Sequence, residues 1–254
     1  MLLRLPTSVT EAQECLADGA VPIGGATLVW ATWQRDGFPQ LAMSLRELPE
    51  ANVLGRETLG AAVVLHRMDG RLPDVLRMAA ATVGTGAVRR TATVGGNLVG
   101  STLRCLLPAA LVLDARATVL EPDGLHEADL AEVVAKRPLL IGLRWRTPVA
   151  SAYRKLPGEA GGEPPLVVAS ALHTGDGTPD RLRVAVRDGY DVISGTTPWA
   201  GDADDALGAL RGTALGELPA AAWDVVRPQI VTLLAGRGAG TARTGDGADG
   251  TAAG

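Results

Sequence analysis

The sequence predicts an α+β fold in several parts, and three observations carry that reading. A strand–Gly-Gly–helix unit stands near the N-terminus, over Val21–Gln34. The extended runs that follow are too short and too closely spaced for a doubly wound parallel sheet. From Ser151 the pattern changes to alternating strands followed by two helices, which marks a C-terminal domain of the α+β kind.

Taken in order, Thr7 and Ser8 offer caps for a helix over Val9–Leu16, which Gly19 stops ahead of the short apolar run Val21–Ile23. Gly24 and Gly25 come next, then helical spacing at Leu28, Ala31 and Thr32 that ends before Asp36-Gly37. Extended runs are expected at Leu41–Met43, Ala51–Leu54 and Leu59–Leu65. Leu72–Thr82 reads as an amphipathic helix with Pro73 in its first turn. The polar, glycine-rich stretch Arg89–Leu98 leads into an apolar helix at Leu106–Leu113, and strands are predicted at Ala117–Leu120 and Leu139–Trp145. Beyond these come strands at Ser151–Leu156, Leu166–Leu172 and Leu182–Val186, and helices at Asp202–Leu210 and Pro219–Leu234. Residues 235–254 are Gly, Ala, Thr and Asp with two arginines and no apolar periodicity, and are expected to be a flexible tail.

Composition excludes several function classes. A chain of 254 residues can bury a sizeable core without a disulfide or a structural metal. Two cysteines, Cys15 and Cys105, cannot supply a four-thiolate cluster, so iron–sulfur chemistry on this chain alone is ruled out. The net charge of −4 and the lack of a basic stripe argue against nucleic acid as a partner. Lys136 and Lys155 are the only lysines, and no Gly-Lys pair exists to build a nucleotide triphosphatase phosphate loop. No apolar run is long enough to span a bilayer and no signal pattern opens the chain, so a cytoplasmic location is expected, with no membrane partner.

Several motifs reduce to ordinary structure. Gly84-Thr85-Gly86 begins like a dinucleotide fingerprint, but Arg89 stands at the third glycine position, so it reads as a turn. His66, His126 and His173 are scattered, without metal-ligand spacing. No serine sits in a nucleophile elbow, and Asp202, Asp204 and Asp205 fit the positive end of a helix dipole. Two loops stand above this background. In Ile23-Gly24-Gly25-Ala26-Thr27-Leu28, the glycines let the backbone approach an anion beside the N–H groups of a helix start. A tight turn capped by Thr27 would explain the same residues. In Arg89–Leu98, the hydroxyl of Thr93, the small residues Gly95 and Gly96 and the carboxamide of Asn97 converge, a grouping that can form a donor nest for a pyrophosphate.

The two loops, about seventy residues apart, resemble the paired flavin loops of the FAD-binding flavoprotein subunits of molybdenum hydroxylases, the medium subunits of carbon monoxide dehydrogenase and the flavin domain of xanthine dehydrogenase. The second loop of that family is followed here in Ala92-Thr93-Val94-Gly95-Gly96-Asn97-Leu98, the strand before its helical pair in Leu59-Gly60-Ala61-Ala62-Val63, and its Ala-aromatic-x-Lys motif in Ala152-Tyr153-Arg154-Lys155. The resemblance implies a two-part FAD-binding fold, with a small α/β part at residues 1–50 and a larger mixed-sheet part at 51–147. A small C-terminal α+β domain at 148–234 would close over the ring. It implies FAD as cofactor, with Ile23, Gly24, Gly25, Ala26, Thr27 and Leu28 at phosphate, and Thr93, Gly95, Gly96 and Asn97 along the pyrophosphate and ribityl chain. Lys155 would lie by the isoalloxazine, whereas on its own chemistry it reads more readily as a solvated strand lysine.

The function implied is that of an FAD-dependent oxidoreductase component. Electrons would come from an iron–sulfur partner, with a molybdopterin subunit in the same assembly, and go to a small-molecule acceptor such as NAD, quinone or oxygen. Two departures from the family pattern matter. Arg90 replaces the Asn after the loop arginine, and Cys105 stands, after a one-residue deletion, where a carboxylate contacts the flavin. From that position Cys105→Asp is expected either to tighten FAD binding or, if Cys105 is a packing residue, to bury an unpaired carboxylate. The departures also motivate two other classes of function: a stand-alone secondary-metabolism enzyme that reuses the fold for non-redox cyclisation of a polyketide-like substrate, and a structural subunit without cofactor.

Overall fold

The computed structural model describes residues 1–158, 162–175, 177 and 179–241. Three sheets organise them, and each prediction of class made from the sequence is met by an α+β arrangement. The first is parallel, with β3 (Leu41–Ser44) between β1 (Leu2–Arg4) and β2 (Val21–Ile23), in a register that sets Leu2 and Val21 against Leu41 and Ala42. Helix α1 (Val9–Ala17) makes the crossover from β1 to β2. Its start is fixed by Ser8 Oγ accepting from Glu11 N–H at 3.2 Å, while Glu11 Oε2 accepts from Thr7 N–H at 2.7 Å. Ala12 and Cys15 face inward from it, onto Met43 and Leu48.

Helix α2 (Val29–Asp36) follows the first glycine loop and buries none of its residues. Its aromatic side chains pack on one another instead: Phe38 sets its ring edge-on to Trp30 at 5.3 Å and to Trp33 at 6.1 Å.

The second sheet is antiparallel, in the order β4 (Thr58–Gly60), β7 (Leu139–Arg144), β5 (Arg116–Glu121), β6 (Gly124–Asp129). Helices α3 (Asp74–Ala81), α4 (Gly86–Arg89), α5 (Leu107–Val112) and α6 (Leu130–Lys136) lie between its strands in the chain. The third sheet is a meander of β8 (Ala150–Lys155), β9 (Val167–His173), β10 (Asp180–Asp188) and β11 (Asp191–Trp199). Its two-residue period is clean. Tyr153, Val167, Ala169, Ala171 and Ala185 join the core built on the second sheet with α3 and α5. Val168, Leu172, Leu182, Val184 and Val186 face the other way, onto α7 (Ala203–Arg211) and α8 (Ala220–Thr241). The alanines on the first face are small enough to let α5 lie close against β9 and β10.

The structure alters four local expectations. Of Ala51–Leu54 only the end is extended, with Leu54 in an isolated bridge to Leu59: Pro49–Asn52 is a 3-10 turn, held by Asn52 Nδ2 donating to the carbonyls of Leu45, Arg46 and Leu48. Of Leu59–Leu65 only the first two residues are strand, and Ala61 and Val63 direct their carbonyls to the second glycine loop. Strand β11 and the β6–α6 pair are additions. The helical backbone of α8 continues through Thr241, so residues 235–241 extend a helix rather than begin an irregular tail; the remainder of that predicted tail, 242–254, lies outside the described residues. Asp202 caps α7 as its charge pattern predicts, accepting from Asp204 and Asp205 N–H at 2.7 and 2.9 Å. Among the described residues no helix is long and apolar enough to cross a membrane.

Candidate functional site

The two glycine loops meet. A Cβ on Gly24 would collide with Thr93 Oγ1, and one on Gly25 with the Thr91 carbonyl and the Ala92 nitrogen. On the facing side, a Cβ on Gly95 would come within 3.0 Å of Ala61 Cβ, and one on Gly96 within 3.0 Å of Thr93 Oγ1. Glycine is required at 25 because backbone packs on backbone there, and at 24 because the Thr93 side chain fills the space a Cβ would take.

Their donors are distributed unequally. In the second loop the N–H groups of Val94 and Gly95 donate to Val63 and Ala61 carbonyls, that of Gly96 to Thr93 Oγ1 at 3.1 Å, and that of Asn97 to the Thr93 carbonyl. The expected donor nest is therefore engaged within the fold. In the first loop no acceptor is found, among the described residues, for the N–H groups of Gly25, Ala26, Thr27 or Leu28. These four groups lie at the start of α2, where the helix dipole favours negative charge. Thr27 does not cap that helix: the N-cap is Leu28, with no side-chain bond. Ala26 takes φ +54°, a left-handed conformation that costs an alanine roughly 1–2 kcal/mol.

Below Gly96 the backbone forms one π-helical turn, Gly96–Gly100, closed by Ser101 N–H donating to the Gly96 carbonyl. The buried Asn97 uses its Oδ1 to accept from Leu106 N–H at 2.9 Å, which fixes the start of α5. Among the described residues its Nδ2 is shown with no protein partner.

Lys155 is not brought into the two loops. Its Nζ donates to the Thr82 carbonyl at 3.0 Å, at the end of α3, so it is neither a freely solvated strand lysine nor in contact with Thr93. Tyr153, two residues earlier on the same face of β8, shares a 3.1 Å hydrogen bond with Thr82 Oγ1, and burial raises its phenol above the ordinary value. The loop from Thr82 is in turn held by Arg89, whose Nη1 donates to the carbonyls of Val83 and Gly84 at 3.0 and 2.9 Å.

Cys105 faces away from the glycine loops, and sequence reasoning missed its partner. Arg187, on β10 and only 1% exposed, directs Nη1 to the Leu103 carbonyl at 2.8 Å and to Cys105 Sγ at 3.4 Å, and Nη2 to the Pro165 carbonyl at 2.8 Å. Its Nε is buried without an acceptor, and no carboxylate among the described residues is shown paired with it. Both alternatives for Cys105→Asp thus change, because a carboxylate there would meet a buried cation. The histidines remain apart: His173 Nε2 lies 2.8 Å from the Val112 carbonyl and is held below its usual pKa by burial, and His126 pairs with Asp123 at a hairpin.

The arrangement fits a dinucleotide with a pyrophosphate. A glycine-lined seam provides the approach, the four N–H groups beside it the anion's partners, and the exposed Thr27 hydroxyl a further contact.

Comparison with known proteins agrees. No curated protein sequence matches the chain. The fold superposes on a cyanide-inactivated Cu,Mo-CO dehydrogenase with TM-score 0.70 and 20% identity, over 92% of this chain and 97% of that one. Quinoline 2-oxidoreductase from Pseudomonas putida 86 gives TM-score 0.68 and 18% identity over 92% and 96%. The carbon monoxide dehydrogenase from Hydrogenophaga pseudoflava that lacks the Mo-pyranopterin moiety gives 0.70 and 15% over 92% and 96%. Likeness at these identities establishes the shared fold. The family model for the FAD binding domain in molybdopterin dehydrogenase matches residues 3–140, more than half of the sequence. With its glycine loops meeting inside that matched segment, the chain belongs to the family of FAD-binding domains of molybdopterin dehydrogenases.

Proposed function

We propose that this flavoprotein is the electron-relay component of a molybdenum-hydroxylase type of assembly. It would take electrons from an iron–sulfur partner and pass them to a small-molecule acceptor. The observation that carries the reading is the meeting of Gly24 and Gly25 with Thr91–Thr93, which leaves a row of unengaged N–H groups at the start of α2. Ile23–Leu28 would hold the phosphates, and Thr93, Gly95, Gly96 and Asn97 the adjoining chain. When bound, FAD supplies the redox chemistry; the protein supplies its binding, orientation and electrostatics. Lys155, fixed by Thr82, places a positive charge at the border of α3 and β8, where it would favour added negative charge on a bound ring.

The need for a partner follows from the thiols. Cys15 and Cys105 are both free, buried and on different elements, so this chain cannot hold an iron–sulfur cluster by itself. Two of the neighbours in fold are carbon monoxide dehydrogenases described with molybdenum, which supports an assembly with molybdopterin and iron–sulfur subunits. No feature of the fold favours the non-redox cyclisation alternative, and the unengaged donors weigh against a subunit without cofactor.

The test is spectroscopic. The purified chain, titrated with FAD, is expected to bind it with a change in flavin absorbance and fluorescence, and to show no sustained oxidation of an organic substrate until an iron–sulfur protein is added. Absence of any flavin signal change at high micromolar FAD would refute the site. Sustained turnover by the chain alone, giving a product isomeric with its substrate, would refute the relay.

A further inference from the structure

We propose that the cleft between α3 and α4 is a second ligand site, for a small phosphomonoester. The cleft is a cavity of about 270 Å³ bordered by His66, Arg77, Arg89 and Arg90, with Leu65 and Met68 among its apolar lining, and no carboxylate lines it. Its volume is just below the range of about 300–1,000 Å³ usual for drug-sized ligands, which sets the scale of the occupant.

Charge balance selects the class. Arg77 is neutralised by Asp74, its ion-pair partner one turn earlier on α3, and still has a buried Nε with no acceptor. Arg89 is oriented by two backbone carbonyls, which neutralise nothing. For the Arg90 side chain no hydrogen bond or ion pair is shown among the described residues; only its backbone N–H is engaged, by the Gly86 carbonyl. The last two guanidiniums converge: a Cβ on Gly86 would lie 3.9 Å from Arg89 Nη2 and 3.8 Å from Arg90 Nη1. Two like charges held over one glycine, without a counter-ion, repel each other, and a dianion between them removes that repulsion. Planar guanidiniums match phosphate oxygens in pairs, and the apolar lining suits an organic body on the phosphate. Arg89 and Arg90 open the stretch that carries the second glycine loop, but the site uses none of the residues assigned to FAD.

Phenyl phosphate is the probe. Isothermal titration of the FAD-saturated chain is expected to show saturable binding, weakened at least tenfold by Arg90→Ala while FAD affinity is unchanged. Inorganic phosphate, without the apolar body, and benzoate, with one charge, are expected to bind more weakly. Gly86→Ala, whose Cβ fits at ordinary contact distance, keeps the fold and serves as a second variant with the cleft narrowed; it too should weaken binding. The proposal is overturned by absence of saturable binding, by indifference to Arg90→Ala, by equal affinity for inorganic phosphate or benzoate, or by displacement of the probe by FAD. The last result would make the cleft part of the cofactor's own site, and it is separate from failure of the chain to bind FAD at all.

Discussion

Gly25→Ala is expected to lower FAD affinity by about a hundredfold, and to cost about 1–3 kcal/mol of stability, the usual range for overpacking. The reason is what the added methyl meets: the Thr91 carbonyl and the Ala92 nitrogen, main-chain atoms that cannot rotate away. The two loops must separate, and the row of N–H groups at the start of α2 moves with them. Gly96→Ala is the control, because a Cβ there meets only Thr93 Oγ1, at 3.0 Å, and a hydroxyl can turn. Fluorescence titration beside a urea melt separates the two effects. Parental FAD affinity in a folded Gly25→Ala chain would show that the seam between the loops is not where the dinucleotide lies.

Arg187 and Cys105 give the second large effect, with opposite signs for two substitutions. Arg187→Leu leaves the partly buried Leu103 and Pro165 carbonyls without these donors, at up to roughly 1–3 kcal/mol each, and should destabilise the chain by about 1–4 kcal/mol. Cys105→Asp should instead stabilise it by about 1–2 kcal/mol, since the cation is already desolvated and a hydrogen bond between charged groups is worth about 1.5–3 kcal/mol before the carboxylate's own burial is subtracted. Combining them reverses the second sign: in the Arg187→Leu background the same carboxylate has no partner and must destabilise. Denaturant unfolding of the four chains closes the cycle. Additive effects would mean that the guanidinium and residue 105 do not interact.

The glycine loops were legible because close approach of backbone to backbone is written locally, as Gly-Gly pairs bounded by small or polar residues. What the sequence could not indicate is which loop has donors to give. Val94 and Gly95 lose theirs to the 61–63 segment, a pairing across about thirty residues that no spacing rule contains. Arg187 was invisible for the same reason: it lies 82 residues from Cys105, in a strand whose alternation reads as an ordinary exposed arginine. Strands with an apolar face were found well: β9 to within one residue at each end, and β10 in its apolar centre, with two residues missed at each end. Strand β6 was missed because Gly124–Asp129 is an edge with mostly exposed side chains, ordered by its ladder to β5 rather than by burial. The extra turns of α8 follow from an alanine- and glycine-rich segment that carries no apolar stripe, so periodicity could not set where the helix stops.

The sheet β8–β11 has apolar side chains on both faces, and one of those faces belongs to the core of α3 and α5. Peeling it away would expose Tyr153, Val167, Ala169, Ala171 and Ala185 together with the helices they cover, so the peptide at 146–149 is a boundary in the chain but not in the unfolding energy. Cleavage there is expected to leave two fragments that co-elute in size-exclusion chromatography and melt in one transition; two separate peaks would mean two independent foldons. A hinge at that point would have to break a close-packed interior, so access to a bound ring cannot come from swinging the C-terminal sheet aside. It falls instead to α2, which buries no residue and can shift without disturbing any core.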